Sequence, residues 1–354
     1  MIKLKDIGNF EAVPQVAMDI LNGDISALDR HLEQGWDIGE KIKLGRHISL
    51  SALDCALIGE CFDSVKWLVS HGADMNAKDG PCFLTAVRYC GEDIIRYVVS
   101  NGAKVDGVNS VGSDAFSEAL FGRRYENLPL IQGLGHPVKK YGGDSFRRAV
   151  FGKNYEALDF FISQGVDIDY RKPDTVYPYG PTPLCVAARH ADMQMCRYLV
   201  GHGADVTIAE KGGMRPYSIA VERGDMEMAE YFRSLEPAEF HSLQNKLDEL
   251  GPFKLPKPLL DFLMGDRLHI DLPECDFGFI DFFPLADTVP MKVGRQRLLR
   301  ISRTTGDYDH IVIVWNPKTK KMAYYDEEHT ELGDVCGFEE FIEDPAACMS
   351  RIFD

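Results

Sequence analysis

Apolar positions in the first two-thirds of this chain recur at helical spacing in short bursts, each closed by a glycine. In "DSVKWLVSHG", Val65, Leu68 and Val69 fall at i, i+3 and i+4 and form one apolar face. The same phrase returns as "VSHGADMNA" (69–77), "VSNGAKVDG" (99–107), "ISQGVDIDY" (162–170) and "VGHGADVTI" (200–208), with a weaker "LEQGWDIGE" at 32–40. Aligning Gly35, Gly72, Gly102, Gly135, Gly165 and Gly203 gives gaps of 37, 30, 33, 30 and 38 residues. Two short helical segments precede each glycine. The first of each pair carries a small residue (Ala56, Ala86, Ala119, Ala149, Ala187 or Ala220) where neighbouring helices must approach closely. The glycines fit a left-handed cap, which a residue without a side chain occupies at least cost. One such pair cannot bury its apolar face alone, so the pattern predicts about seven stacked copies, an α-solenoid.

The pattern changes after Leu235. "SLQNKLDEL" sets Leu243, Leu247 and Leu250 on one helical face, and a proline-bounded helix follows. Beyond Ile270 the chain reads as strands. "RLLRIS" leads through a turn at "RTTGDYD" to "HIVIVWN", and "MAYYDEE" alternates as the return strand of a hairpin. Phe338, Phe341 and Ile342 then recur at helical spacing. Helices, an antiparallel sheet and a closing helix make a small α+β domain. The expected division is a repeat stack over 10–236 and this second domain over 237–354.

The repeats resemble ankyrin repeats. The best copy is "TPLCVAARHADMQMCRYLVGHGADV" at 182–206, where Thr182 caps a helix that opens with Pro183. Cys185 stands where the family usually has histidine, and Ser51, Asp114, Asp144 and Arg215 stand at the threonine position of other copies. The fourth copy departs further, with Pro129 inside its second helix and "GLGHPV" in place of "GAD". The tail resembles the SUKH superfamily, on "LPKPLLDFL" (255–263), "TGDYDHIVIVWNPKTKKMAYYDEE" (305–328) and "GFEEFIED" (337–344). Asn316 and Gly337 depart from the aspartate and serine common there. The ankyrin resemblance implies a macromolecule-binding surface. The SUKH resemblance implies an immunity protein that neutralises a toxin by covering it.

Charge narrows the partner. The chain carries 55 acidic and 39 basic side chains, a net of −16. From Glu236 onward the count is 23 acidic against 13 basic, or −10, and the remainder, 32 against 26, gives −6. This excludes the basic footprint of a nucleic-acid binder and suits a basic protein, a toxin domain being the expected case. A solvated acidic surface with no partner reads the same way in sequence. The nine cysteines are scattered, with no C-x-x-C pair and no zinc spacing, and read as reduced core thiols. The N-terminus shows no signal-peptide pattern, and no apolar run approaches a membrane span. A cytoplasmic protein is the expectation.

Two inter-repeat segments are longer than the rest, 39–50 and 170–183. In ankyrin stacks such segments form fingers beside the concave face. The second offers Tyr177, Tyr179 and Asp174 in a proline-stiffened loop, and tyrosines serve well as interface anchors. These rings either meet a partner or pack on the adjacent repeat. In the tail, Asp307, Asp309, Asp326, Glu327 and Glu328 are the candidate contacts for a basic partner. No phosphate-cradling loop, nucleophile elbow or metal-ligand spacing is present, so no catalytic residue, cofactor or metal is expected. "DYDH" at 307–310 is the one arrangement that leaves room for a hydrolase in the tail. Binding and steric neutralisation of a toxin is the leading expectation, and an ankyrin scaffold for a cellular protein is the alternative.

Overall fold

The computed structural model describes residues 13–353. The chain divides into two compact units, one through Asp167 and one from Ile168. Among the described residues of the first unit the main helices form five pairs. They are α1 (Gln15–Asn22) with α2 (Ile25–Glu33), α3 (Ala52–Ile58) with α4 (Phe62–Ser70), and α5 (Cys82–Tyr89) with α6 (Glu92–Ser100). Then follow α7 (Ala115–Phe121) with α8 (Asn127–Gly133) and α9 (Val138–Phe151) with α10 (Tyr155–Ser163). The second unit opens with two more pairs, α11 (Pro183–Arg189) with α12 (Met193–Gly201) and α13 (Pro216–Glu222) with α14 (Met226–Leu235).

The sequence signals appear where the spacing put them. All six turn glycines adopt positive φ, from 71° at Gly165 to 106° at Gly102. The six small residues of the first helices are buried, at 2% exposure or less. Thr182 Oγ1 accepts the amide of Cys185 at 3.1 Å, and Ser51 and Asp114 cap their helices in the same way. A second left-handed position lies between the two helices of a pair. It is glycine at Gly23 and Gly224, but Glu60, Arg123, Lys153 and Ala191 hold it elsewhere at φ of 49–55°.

The middle copies differ from expectation in two ways. Pro129 falls in the first turn of α8, where its missing N–H would have had no helical partner, so it starts the helix rather than distorting it. Asp144 does not cap a helix. α9 begins six residues earlier, at Val138, and Asp144 lies inside it, paired with the buried Arg147 at 3.0 Å. Gly142 keeps the extended helix close to its neighbour. A Cβ there would stand 2.8 Å from Val166 Cγ2.

The two long segments also part ways. The first forms a two-stranded antiparallel finger, β1 (Ile42–Lys43) with β2 (Ser49–Leu50). The second, 170–183, contains turns and no paired strand.

After α14 the second unit continues through α15 (Leu243–Leu250) and α16 (Lys257–Leu263) into eight strands: β3 (His269–Leu272), β4 (Gly278–Phe282), β5 (Val289–Val293), β6 (Gln296–Arg300), β7 (Ser302–Thr304), β8 (Ile311–Asn316), β9 (Lys321–Asp326) and β10 (Glu331–Cys336). Among the described residues they form an antiparallel five-stranded sheet ordered β10-β9-β8-β6-β5 and a three-stranded sheet ordered β3-β4-β7. The β8–β9 hairpin is the one the alternation predicted, with Trp315 opposite Met322. α17 (Phe338–Glu343) and α18 (Pro345–Ser350) close the unit.

The sheet has two different faces. One packs Leu299, Ile311, Ile313, Trp315 and Met322 against Leu250, Leu259, Leu263, Phe338 and Phe341 of the helices. Trp315 Nε1 donates to Phe253 O at 2.9 Å, which satisfies its single polar atom inside that core. The other face carries the smaller cluster of Met291, Leu298, Val312, Val314 and Ala323. Strand alternation puts Arg300 on this second face with Leu298.

The last helix pairs and this domain are joined closely. Tyr217 Oη donates to Asp287 at 2.9 Å, and Arg300 pairs with Glu222. Gly213, at φ 83°, lies so near β5 that a Cβ would meet Pro290 O at 2.4 Å.

Candidate functional site

The sequence candidates fall in one unit, and several of them converge. In the 170–183 loop, Asp174 Oδ1 accepts the amides of Val176 at 2.7 Å and Tyr177 at 2.6 Å, a tight turn that presents the two tyrosines. Their rings meet edge to face at 6.2 Å. Both are partly buried. The next loop holds this one in place: Lys211 N donates to Tyr179 O at 3.0 Å and Lys211 Nζ to Pro178 O at 3.2 Å. Tyr179 packs on the adjacent repeat and stays partly exposed.

Beneath Tyr179 lies a network of buried charge. The Arg189 guanidinium sits 5.4 Å from the Tyr179 ring centroid. Arg189 pairs with Glu210 and, at 3.5 Å, with Glu222. Glu222 uses its other oxygen to hold Arg300. Arg300, 4% exposed, also donates to the carbonyls of Ser302 at 3.2 Å and Arg303 at 3.4 Å. Two residues from the repeats' first helices, one from a repeat loop and one from the sheet thus form a single chain of ion pairs.

Glu210 is the strained member. It is 7% exposed, and its Oε2 has no hydrogen-bond partner among the described residues. Burial pushes its carboxyl up to about 7. Arg189 opposes that rise, and the like charges of Glu222 and Glu327 add to it. Tyr179 is raised as well, first by burial, with Arg189 opposing and Glu210, Tyr177 and Glu327 contributing.

The charge of Glu327 thus reaches Tyr179 although the chain separates the two by well over a hundred residues. It is open to water yet crowded on most sides. The crowding raises its carboxyl, Arg300 opposes the rise, and Glu222 and Asp309 reinforce it. The Glu327 amide donates to His310 O at 2.9 Å, which ties the β9–β10 turn to the 305–310 loop. Asp309 is fully exposed there, and Asp307 and Glu328 are also exposed.

Asp326 is placed differently. Its Oδ1 accepts the amides of Glu328 at 2.9 Å and His329 at 3.0 Å, and its Oδ2 meets His329 Nδ1 at 2.8 Å. Burial opposes ionisation, but these bonds outweigh it and hold the carboxyl below its ordinary value. Its carboxylate is engaged in shaping its own turn.

Arg189, Glu210, Glu222 and Arg300 escaped sequence reasoning. One signal was available. Leu21, Ile58, Phe121, Phe151, Arg189 and Glu222 stand at equivalent places, two residues before the left-handed position between paired helices. That place is apolar in the first four of these copies and charged in the last two.

The first unit has its own cavity, of about 340 Å³, lined by Asp54, Pro81, Arg88, Tyr89, Asn109 and Glu118 among others. Its polar groups are largely satisfied internally. Asp54 accepts from Ser51 Oγ at 2.7 Å and Thr85 Oγ1 at 2.8 Å, while Glu118 receives Arg88 and Asn109, each at 3.0 Å. Phe121, 50% exposed, lies between the Arg88 and Arg148 guanidiniums at 5.8 and 5.4 Å.

The "DYDH" segment does not assemble a catalytic pair, since His310 Nδ1 lies 3.8 Å from the fully exposed Asp309. Among the described residues no group of His, Cys, Asp and Glu is arranged to hold a metal ion, and no helix is long and apolar enough to cross a membrane. All nine cysteines are free thiols. Burial pushes Cys55, Cys82, Cys185 and Cys196 up to about 12, so they are protonated and inert at neutral pH.

Comparison with known proteins identifies the repeats. Residues 146–241 match the family model for ankyrin repeats (three copies), and residues 50–80 match the model for a single ankyrin repeat. Over 73 residues the chain is 34% identical to an ankyrin repeat protein of Rickettsia bellii (strain RML369-C), covering 21% of this chain and 37% of that one. Over 92 residues it is 28% identical to an ankyrin repeat protein of fowlpox virus (strain NVSL), covering 26% and 15%. The chain thus spans well under half the length of these relatives. Among solved structures it is similar to a chain of the Bd0816 predatory endopeptidase from Bdellovibrio bacteriovorus in complex with the immunity protein Bd3460. The TM-score is 0.45, with 21% identity, over 52% of this chain and 97% of that one. The chain carries ankyrin repeats and a C-terminal region of antiparallel sheets, and such repeats point to protein–protein interaction.

Proposed function

We propose that this ankyrin-repeat chain is a protein-binding inhibitor of the immunity type, which neutralises a basic toxin by covering its active site or substrate path. One observation carries the binding part. Tyr177 and Tyr179 of the repeat loop pack edge to face, and the charge of Glu327, from the tail, acts on Tyr179, which supports a binding region to which both kinds of element contribute. Aromatic anchors beside unneutralised carboxylates are what a basic partner's surface complements, with the charge speeding encounter and the rings supplying contact area. The immunity part rests on the SUKH-like tail motifs at 255–263, 305–328 and 337–344.

The test is co-expression. The product of the gene beside this one is expressed in a host with and without the intact chain, and growth and co-purification are followed. Rescue of growth with a stable complex is the expected result. Growth arrest unrelieved by the chain, with no complex formed, would overturn the immunity reading. A stable complex with a non-toxic cellular protein instead would favour the scaffold.

A further inference from the structure

Phe121 and Phe151 end two neighbouring first helices of the first unit, α7 and α9. At the same place in an earlier copy Ile58 is buried, at 3% exposure, whereas these two side chains are 50% and 58% exposed. The helices pack on each other, with Ser117 Oγ and Ser145 Oγ 3.1 Å apart between them. Equivalent residues on them therefore stand about one helix spacing apart, roughly 10 Å, and form one exposed aromatic surface.

The charge beside that surface is unbalanced. The Phe121 ring lies between the Arg88 guanidinium from α5 and the Arg148 guanidinium from α9. Among the described residues the Arg148 guanidinium has no ion pair and no hydrogen-bond partner. Its Nε is closed to water, and its two outer nitrogens stay open to it. Arg123, two residues beyond Phe121, is exposed and has no ion pair among the described residues either. The surrounding carboxylates are already engaged. Glu118 receives Arg88 and Asn109, Asp144 holds Arg147 at 3.0 Å, and Glu60 holds Arg124. In the cavity that Arg88 also lines, Asp54 accepts from Ser51 and Thr85, and Asp79 pairs with Lys41 at 2.8 Å. This surface thus lacks two things, an apolar cover for its rings and an anion for its guanidinium.

We propose that this face of the first unit docks an acidic, apolar segment of a partner protein. A large apolar side chain covers Phe121 and Phe151, and a neighbouring carboxylate takes the outer nitrogens of Arg148, with Arg123 adding attraction. A carboxylate matches the guanidinium fork, and half-exposed aromatic rings are the side chains that gain most from being covered. The charge preference is opposite to that of the acidic tail, so the surface goes beyond the toxin-binding reading and does not depend on it. A single-stranded nucleic acid would also stack on the rings, but the chain's net charge of −16 repels a phosphate backbone.

The probe is the capped, dye-labelled peptide Glu-Phe-Glu-Glu-Leu, titrated with the intact chain and followed by fluorescence anisotropy. Its counterpart with glutamine for every glutamate and an equally labelled thymidine oligonucleotide are the comparisons. Saturable binding of the glutamate peptide is expected, with the glutamine peptide weaker by about fivefold or more. Phe121→Ala and Phe151→Ala, each at a half-exposed ring, should weaken it by about tenfold. Arg148→Gln should weaken the glutamate peptide several-fold and leave the glutamine peptide unchanged, a difference that a general loss of fold does not produce. Phe240→Ala removes another exposed ring beside a guanidinium, that of Arg215 at 5.1 Å in the second unit, and leaves binding unchanged. Equal binding of the two peptides, full binding by both phenylalanine variants, or no saturation up to about 1 mM would overturn the proposal. Tighter binding of the oligonucleotide would overturn it in favour of base stacking. Self-association that Phe151→Ala abolishes, with no peptide bound, would overturn it in favour of a second copy of the chain.

Discussion

Glu210 gives the sharpest prediction because its sign can be worked out in advance. Its carboxyl moves from 4.5 to about 7 on folding, with burial the largest cause. A folded value above the unfolded one means that the native state binds the proton more tightly. The stabilisation from that proton is complete below about pH 4.5, declines as pH rises, and is gone above about pH 7. The shift of about 2.5 units corresponds to about 3 kcal/mol across this window. Glu210→Gln removes the titration. The stability difference between variant and wild type should therefore drift by about 2–3 kcal/mol in the variant's favour between pH 5 and pH 8. Taking the difference cancels the contributions of the other titrating groups. The assay is urea unfolding of both intact proteins at closely spaced pH, read at the transition of the second unit through Trp315, which lies in its core. A difference constant to within about 0.5 kcal/mol would show that Glu210 has an ordinary carboxyl. A drift of opposite sign would show that Arg189 dominates and holds the carboxylate ionised. Either result would remove the argument that Oε2 lacks a partner.

Other consequences can be checked by the same unfolding measurements or by binding. Gly203→Ala places a side chain at φ 97° where a Cβ meets no atom, so its cost of about 1–2 kcal/mol is pure backbone strain. Arg123→Gly runs the other way: relief of an exposed left-handed residue at φ 55° offsets the added chain entropy, leaving stability unchanged or raised by up to about 1 kcal/mol. Ala86→Leu overfills a fully buried contact and should destabilise by about 2 kcal/mol. Reversing Asp309 and Glu328 to lysine should slow association with a basic partner several-fold at low salt and little at high salt; an unchanged on-rate would count against electrostatic steering.

The repeats were legible because each copy repeats a local requirement. A glycine that must adopt positive φ and an alanine that must touch the next helix leave marks at fixed spacing, and both marks hold in the structure. The β8–β9 hairpin was legible for the same reason, since alternation in "HIVIVWN" and "MAYYDEE" is a local record of two faces. The early start of α9 was not. "VKKYGG" carries two glycines, and Gly142 leaves the room that Val166 fills, a contact no local pattern encodes. Strands β3, β4, β5, β7 and β10 were not read one by one: β3 and β7 are too short to show an alternation, and β4, β5 and β10 mix glycine, proline or charged residues into it. The candidate site was half legible. The loop length drew attention to Tyr177 and Tyr179 and the charge excess to Glu327, but the Arg300–Glu222 pair joins residues 78 apart, and spacing says nothing of such a meeting.

That pairing bears on how the protein divides. The expected boundary at 236/237 follows the end of the repeat pattern, whereas the second compact unit begins at Ile168 and includes the last two helix pairs. Cutting at 236 would leave Arg300 in the sheet without Glu222, Tyr217 without Asp287, and Gly213 without the strand it packs against. Stranding a buried guanidinium costs about 3–5 kcal/mol, comparable to the whole stability of a small domain. Residues 237–354 expressed alone should therefore be much less stable than 168–354, and Glu222→Gln in the longer piece should recover part of the difference by the same mechanism. If 237–354 unfolds at the same urea concentration as 168–354, the ion-pair chain is ornamental. If it does not, the last repeats belong physically to the tail, and the surface that meets a partner is one folded unit rather than two modules acting in turn.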